Sequence, residues 1–494
     1  MASHFCRKWY EMNTPKRIAK NTFVQFTALI LSWIPNFFAM LYTARYLGAG
    51  DFGVLSFALA FTGMFGGFSD MGLGQLIVRE VARDLSLTSK YLSNIIVIKI
   101  ILAFILYGLI SLAINLFGYP LQTVMAVYLV ALQILLNIFS STFCPIFQAH
   151  ERMEYQSFGQ VLNGALMFVG VILVMKYNLG VIGIACLYPF CAMVITLYSF
   201  YILKKKILQP SATWSLREME IDWTFWKQTI RKSLPFGLAV LFVMIWYQLH
   251  IIMLSAIKGD TIVGWFNAAY KIESVMLFIP QAFIAAIYPV MAKFHESDQH
   301  FLIFSFDKSL KYLTIIAIPI GVGTTILAER FILMIFGIEY LNSVVALQIL
   351  VWASVFVFMS IPFANLLNCL NRQSIVLKIT GICLVSNVIL NLILIPRYGL
   401  IGASISFVLT EFVSLCLSFF CIFRVGCFIP NYSFLNIIIK VLIASILMGV
   451  FVESFLYLNL LLIIPSAAVL YFIFLFVSNG IDKEDLSLLR RVLR

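Results

Sequence analysis

Charged side chains are scarce in this chain. Asp, Glu, Lys and Arg make up 11% of its 494 residues, whereas hydrophobic residues make up 62%. Because soluble domains carry about 25% charged residues, this composition excludes a soluble globular protein. It predicts an integral membrane protein instead.

Metal-binding and redox patterns are also missing. The nine cysteines and five histidines form no C-x-x-C pair and no zinc-like spacing. We interpret the cysteines inside apolar runs as small buried side chains; they include Cys186, Cys191, Cys383, Cys416 and Cys421. The sequence therefore predicts no metal and no organic cofactor.

Long apolar runs dominate the chain. A helix needs about 20 apolar residues to cross the hydrocarbon layer of a membrane. About fourteen such runs occur, near 22–44, 52–73, 92–117, 123–147, 157–176, 180–203, 234–256, 262–290, 312–329, 342–366, 376–396, 399–423, 437–456 and 458–478. They are continuously apolar, without the alternation of barrel strands, so we predict an all-α protein with about 14 transmembrane helices.

Basic residues indicate the direction of these spans. The first twenty residues are basic and lack the apolar core of a secretory signal, which predicts a retained cytoplasmic tail. With that tail inside, the outward-facing connections hold only Arg45, Lys176, Lys258, Arg330 and Arg397 of the 34 basic residues, apart from those within spans. This asymmetry predicts a cytoplasmic-membrane protein with both termini in the cytoplasm. Orientation then explains the net charge of +12 without a nucleic-acid partner.

One glycine motif has the spacing of a nucleotide-binding fingerprint but lacks its structural context. Gly48, Gly50 and Gly53 match G-x-G-x-x-G, but this pattern indicates dinucleotide binding only between a strand and a helix. Here an apolar span precedes the glycines. We therefore predict a tight outer hairpin between spans one and two.

Several short segments recur in order along the chain. Gly48 and Gly53 return as Gly259 and Gly264, and Gly180 and Gly183 return as Gly399 and Gly402. Pro145, Gln156 and Ser157 return as Pro362, Gln373 and Ser374. Equivalent places in the span order predict an internal duplication. Since each copy spans six times, the copies would be related by a pseudo-two-fold axis along the membrane normal.

The predicted organisation is two six-helix lobes with two extra helices. The first lobe covers 1–203, the second covers 234–424, and the two extra helices with a cytoplasmic tail cover 425–494. Between the lobes, 204–233 is predicted to be a cytoplasmic amphipathic linker, with Trp223, Trp226 and Ile230 at headgroup depth. An ordinary basic loop is the alternative.

Three motifs near the amino terminus resemble a known family: TPKRIAKNTFVQF at 14–26, ARYLGAGDFGVLSFALAF at 44–61 and SDMGLGQLIVREVAR at 69–83. They resemble the polysaccharide transporters, the Wzx-type flippases of lipid-linked oligosaccharides. The superfamily also contains the multidrug and toxin extrusion antiporters. The resemblance implies two lobes that open alternately to each side of the membrane. It further implies a sugar head group that crosses a polar cavity while its polyprenyl tail stays among membrane lipids.

Ionisable residues at membrane depth are candidates for that cavity. We predict that Lys271, near the middle of span eight, contacts an anion; a structural pair with an acidic residue is the alternative. Glu273 lies two positions later and on another helix face, so it need not pair with Lys271. Glu411, deep in span twelve, is predicted to carry a proton or cation or to pair with Lys271.

Other polar residues complete the predicted site. His250, beside Gln248 on span seven, is predicted to hold a phosphate or to sense protons, with a hydrogen-bonded packing histidine as the alternative. Asn36 follows Pro35 in span one, where a kink with freed carbonyls is predicted. Arg45, Arg79 and Arg83 are predicted as phosphate contacts at the two mouths, with interfacial anchoring as the alternative. Lys99 is predicted to extend to the interface, and Asp70 and Glu80 to pair with nearby arginines.

Two other functions compete with export of a lipid-linked oligosaccharide for surface-glycan assembly. A multidrug or cation antiporter would need a buried carboxylate at mid-depth in spans one to six, and the sequence offers none there. An enzyme would need catalytic residues on a sizeable loop, and the outer connections are short and hold no D-x-D or paired His. We therefore predict a flippase and no enzyme. The coupling ion, H+ or Na+, and any association with glycan-assembly enzymes are left open.

Overall fold

The computed structural model describes residues 2–207, 223–284, 287, 291, 299–370, 372–425 and 432–480. All regular elements in this part are helical, which confirms the predicted all-α class. The chain divides into two compact units, Met1–Ile252 and Met253–Arg494. The predicted lobe and linker boundaries stay a prediction.

The first unit is built from six helices and most of a seventh. They are α1 (Ala2–Asp70), α2 (Leu73–Arg83), α3 (Thr88–Leu116), α4 (Leu121–Ala149), α5 (Met153–Lys176), α6 (Gly180–Ile202) and α7 (Trp223–Lys258). Helix α4 packs against α3 and α6, and α1 packs against α4 and α5. Two apolar clusters form between them, one around Phe57 and Ala131 and one around Ile77 and Ile95.

The second unit begins within the last turns of α7. It contains α8 (Asp260–Met276), α9 (Gln299–Ile335), α10 (Ser343–Cys369), α11 (Gln373–Val425), α12 (Tyr432–Ser454) and α13 (Leu460–Val477). Helix α10 packs against α8, α9 and α11. The last two helices are joined to α9, since the Tyr471 hydroxyl donates to the Ile315 carbonyl at 2.7 Å and the Arg330 guanidinium donates to the Leu458 carbonyl at 2.6 Å.

Twelve helical stretches in the described part are long and apolar enough to cross a membrane. Two of them are much longer than one crossing: Thr27–Arg83 has 57 residues and Gln373–Arg424 has 52. Since about 20 residues cross the hydrocarbon layer, each is long enough to cross twice, and each contains a break, at Gly48 and at Gly399. The protein is a multi-pass membrane protein, and the count of fourteen stays a prediction.

The recurring glycines have similar backbone conformations. Gly48 has φ 67° and ψ 176°, and its partner Gly259 has φ 87° and ψ 171°. Gly180 and Gly399 likewise have positive φ values of 63° and 53°. Left-handed backbone at matched turns is a position that glycine occupies without steric cost. These four residues turn the chain where the sequence predicted, and no strand precedes Gly48 in the described helix α1.

One prediction about apolar side chains is wrong, and one residue makes a contact that was not predicted. Trp226 is buried and its indole nitrogen donates to Asn94 Oδ1 at 2.8 Å, while its headgroup depth stays a prediction. Cys186 and Cys416 were predicted to be buried, but both are exposed. In a membrane protein an apolar side chain is equally stable against protein or lipid, so hydrophobicity alone does not separate the two. The stretch 208–222 of the predicted linker lies outside the described residues.

Candidate functional site

Lys271 lies in the middle of the candidate span Asp260–Ile284. At 1.5 Å per residue it stands about 16 Å along the helix from Asp260. Its side chain is half-buried. Among the described residues no ion pair or hydrogen bond of its ammonium group is found, so the alternative of a structural pair with Glu411 finds no support there.

Glu273, on the same helix as Lys271, faces the core of the second unit. It is fully buried, and its Oε1 accepts a hydrogen bond of 2.7 Å from the Ser354 hydroxyl on α10. Its Oε2 has no hydrogen-bond partner in the described part of the chain. Glu273 is thus fully buried, whereas Lys271, two positions earlier on the helix, is half-buried.

Glu411 is a second buried carboxyl group of this unit. It is 2% exposed and lies on α11, which packs against α8. Tyr270 is held by an edge-on contact with Phe407 of α11, with ring centroids 5.7 Å apart. Two buried carboxyl groups are costly as bare anions, so a neutral form, hydrogen-bonding partners or a cation must offset the charge.

A chain of buried polar side chains, not predicted from the sequence, joins the two arms of α11 on either side of Gly399. Asn387 donates to the Thr410 hydroxyl at 3.0 Å, and Asn391 donates to Asn387 Oδ1 at 2.8 Å. The Ser406 hydroxyl donates to Asn391 Oδ1. The sequence contains a pattern that could have predicted this network: two polar pairs at i, i+4 spacing, Asn387 with Asn391 and Ser406 with Thr410. Residues with this spacing share a helix face. This network ends one residue before Glu411.

His250 and Gln248 lie on α7 within the first unit. His250 is fully buried. Gln248 is half-buried, and its Nε2 stands 3.4 Å from where a Cβ on Gly63 would lie. The Gln248 amide therefore lies beside Gly63 of α1, at ordinary van der Waals distance from where a Cβ would stand.

Asn36 is placed differently from the other candidates. Its side-chain amide donates to the Ser32 carbonyl of its own helix at 2.8 Å. Gly164 of α5 packs here so closely that a Cβ on it would stand 2.8 Å from the Ser32 carbonyl oxygen. The amide therefore supplements the α1 hydrogen-bond pattern beside Pro35, where a backbone donor is missing.

The three predicted mouth arginines are all exposed: Arg45, Arg79 and Arg83. Arg79 donates to Glu80 Oε1 at 2.7 Å, which confirms the predicted pairing of Glu80. Beyond Arg83, the hydroxyl and then the backbone amide of Ser86 hold the pKa of Asp84 below its usual value. The positive charge at this end of α2 is thus partly offset by two nearby carboxylates.

Lys99 does not extend to the interface, so that prediction is wrong. Its side chain is fully buried, and its ammonium donates to Asp70 Oδ1 at 2.6 Å. It also donates to the carbonyl and the hydroxyl of Ser141, both at 3.0 Å. Asp70 therefore pairs with a lysine rather than with an arginine. An extended lysine needs a nearby interface, whereas here three acceptors replace the water.

An apolar cavity of about 370 Å³ opens between helices of the second unit. Its lining comes from α8, α9, α12 and α13 and includes Pro319, Gly323, Met448, Ala467 and Tyr471. None of the described lining residues is charged, so the cavity is suited to hydrocarbon rather than to sugar.

Comparisons with known proteins agree with this all-helical arrangement. A solved structure, the lipid II flippase MurJ in an inward closed conformation, matches with a TM-score of 0.72 at 15% identity, covering 95% of this chain and 99% of that one. At such low identity the match shows the fold alone. A profile of the MatE family also matches residues 235–393.

Relatives by sequence carry names from glycan biosynthesis. The probable low-salt glycan biosynthesis flippase Agl15 of Haloferax volcanii is 23% identical, over 79% of this chain and 80% of its own length. The lipopolysaccharide biosynthesis protein WzxC of Escherichia coli is 22% identical, over 76% of this chain and 75% of its own length. The family profile described as polysaccharide biosynthesis protein matches residues 18–295. With more than half of its length matched, the chain belongs to the polysaccharide biosynthesis protein family.

Proposed function

We propose that this chain is a flippase that moves a polyprenyl-linked oligosaccharide, joined through phosphate or pyrophosphate, from the inner to the outer leaflet. Transport would proceed by alternating access to the two sides of the cytoplasmic membrane, with both termini in the cytoplasm. The product would serve assembly of a cell-surface polysaccharide or glycan. The family and its flippase relatives support this function.

One observation carries the proposal: the ammonium group of Lys271, a half-buried residue at mid-membrane, has no described protein partner. A lysine there costs about 2.5–3.5 kcal/mol on insertion scales, which a protein tolerates where water or a ligand anion is present. Phosphate supplies that anion, and it cannot cross about 30 Å of hydrocarbon unaided. Lys271 is thus the proposed contact for the phosphate during its passage.

The buried carboxyl groups supply a second element, coupling to an ion gradient. Glu273 and Glu411 would exchange a proton or Na+ with water as the protein opens to each side. Binding of the ion would neutralise charge in the second unit, and release on the other side would restore it. Export against a substrate gradient requires such an input of free energy, and the alternating neutral and charged states of these carboxyls would provide it.

Loss of the gene is expected to change where the lipid-linked oligosaccharide faces. In cells lacking this chain, the oligosaccharide should accumulate with its sugars on the cytoplasmic side, protected in intact cells from an impermeant sugar-oxidising reagent. Lysed cells should then show the full amount of reactive sugar. The competing antiporter function predicts an unchanged lipid-linked pool together with greater sensitivity to cationic drugs, and that pair of results would contradict the proposal.

A further inference from the structure

The corner between α1 and α2 has an unusual backbone. Helix α1 ends at Asp70 and α2 begins at Leu73. The two residues between them, Met71 and Gly72, both have positive φ, 44° and 77°. A methionine in this region is uncommon, and such residues persist where the surrounding structure holds them. Contacts around this corner must therefore fix its shape.

Lys99 supplies the contacts from outside the corner. All three donors of its buried ammonium are used, one on Asp70 and two on Ser141 of α4. Both carboxylate oxygens of Asp70 also accept the backbone amide of Gly74, at 3.3 Å, in the first turn of α2. The ion pair thus joins the end of α1 to the start of α2 and fastens both to α3 and α4.

Helix α7 meets the same corner through backbone rather than side chains. A Cβ placed on Gly237 would stand 2.6–2.9 Å from backbone atoms of Met71, too close for any side chain. The contact continues along the two helices, where Gly67 of α1 faces Leu241 and Met244, and Gly63 faces Gln248. Glycines spaced four apart allow such close helix approach in membranes. The position of Gln248 therefore depends on where α7 sits at the corner.

We propose that Lys99 and Asp70 are positioning residues for the substrate site. Their ion pair fixes the backbone of the corner. The corner backbone at Met71 determines where α7 packs at Gly237, and the position of α7 in turn places Gln248 beside Gly63. The inference rests on the proposed function in one respect, since it takes Gln248 to face the substrate path. The pair itself touches no substrate. It acts by setting the position of α7 along α1 and the distance between the two helices.

The position of α7 against α1 can be measured without substrate, from the rate at which a cysteine at position 248 reacts. In protein freed of its nine native cysteines, a Gln248→Cys reporter is labelled with a water-soluble maleimide in native membranes. Lys99→Met and Gly237→Ala should each change the labelling rate about tenfold and in the same direction, because losing a charge-assisted contact or forcing a steric overlap displaces α7. Gly66→Ala is the matched control, since nothing lies within 4 Å of a Cβ there.

The combination of the two changes separates a shared mechanism from independent damage. The Lys99→Met, Gly237→Ala double variant should show the same labelling rate at residue 248 as the stronger single variant, because both changes disturb the same packing of α7 at the corner. Multiplying effects, or an unchanged rate in Lys99→Met, would overturn the proposal. If Lys99→Met is not recovered folded, Asp70→Asn keeps the side-chain size and an acceptor for Gly74, and it should shift the rate in the same direction. A labelling rate in Asp70→Asn equal to that of the parent would also contradict the proposal.

Transport measurements then distinguish this inference from the proposed function. If Lys99 acts through Gln248, Lys99→Met should lower flipping about tenfold in the parent but add little in a Gln248→Ala background. A full further loss in that background would overturn the positioning role. A parent protein that moves no lipid-linked oligosaccharide would instead contradict the proposed function, while the labelling result would still decide how α7 is seated.

Discussion

Replacing Lys271 by alanine is expected to lower export of the lipid-linked oligosaccharide about 10- to 100-fold, because a hydrogen bond to a charged group contributes about 1.5–3 kcal/mol. The Lys271 ammonium has no described anionic partner whose charge the change would leave buried. The amount of protein in the membrane should therefore stay close to that of the parent. Export is measured as surface polysaccharide per unit of inserted protein.

Two further variants make the Lys271 result specific to charge at that position. Lys271→Arg keeps a cation and should retain most of the export. Lys378→Ala removes an exposed lysine of the same unit and should leave export unchanged. Normal export by Lys271→Ala would remove the proposed phosphate contact, and so would equal losses in both alanine variants.

Replacing Glu273 by glutamine should abolish the response of flipping to an ion gradient. Glutamine keeps an oxygen that can accept the hydrogen bond from Ser354, but it fixes the side chain in a neutral form. If the carboxyl must alternate between neutral and charged states, gradient-driven flipping should fall more than about tenfold, since 1.4 kcal/mol already changes an equilibrium tenfold. The measurement is flipping in vesicles with an imposed pH or Na+ gradient.

Ser354→Ala is the matched control for the Glu273 result. It removes the same 2.7 Å hydrogen bond but leaves an ionisable carboxyl, so gradient dependence should persist at reduced rate. Glu411→Gln should resemble Glu273→Gln if the two carboxyls act together. Whichever gradient, H+ or Na+, drives the parent identifies the ion. A Glu273→Gln protein that still follows the gradient would exclude this carboxyl as the ion carrier.

The membrane class and the turning points could be predicted from sequence because they depend on local properties. Continuous apolar runs determine which segments can span a bilayer. Gly48 and Gly259, 211 residues apart, were matched by spacing alone, and both have the positive φ that such a turn requires. The separation of Lys271 from Glu273 also follows from helix geometry, which needs no tertiary information.

The partners of buried polar groups could not be predicted in the same way. Lys99 sits where an extended conformation toward the interface is plausible from sequence, but Ser141, 42 residues away, accepts its ammonium. Trp226 has the spacing of a surface helix, yet Asn94, 132 residues away, accepts its indole proton. Contacts over such distances depend on packing between helices. A single sequence records the residues without recording the packing.

The central claim is that this chain moves a lipid-linked oligosaccharide across a bilayer, and reconstitution measures it most directly. Purified protein is placed in liposomes carrying a short polyprenyl-pyrophosphate oligosaccharide in both leaflets, and an impermeant oxidant reports the fraction of sugar that becomes accessible. The account predicts that parent protein exposes nearly all of the sugar and that Lys271→Ala protein exposes the inner fraction about 10- to 100-fold more slowly. Protein that leaves the inner fraction protected but drives a cationic dye across the same membrane would contradict it.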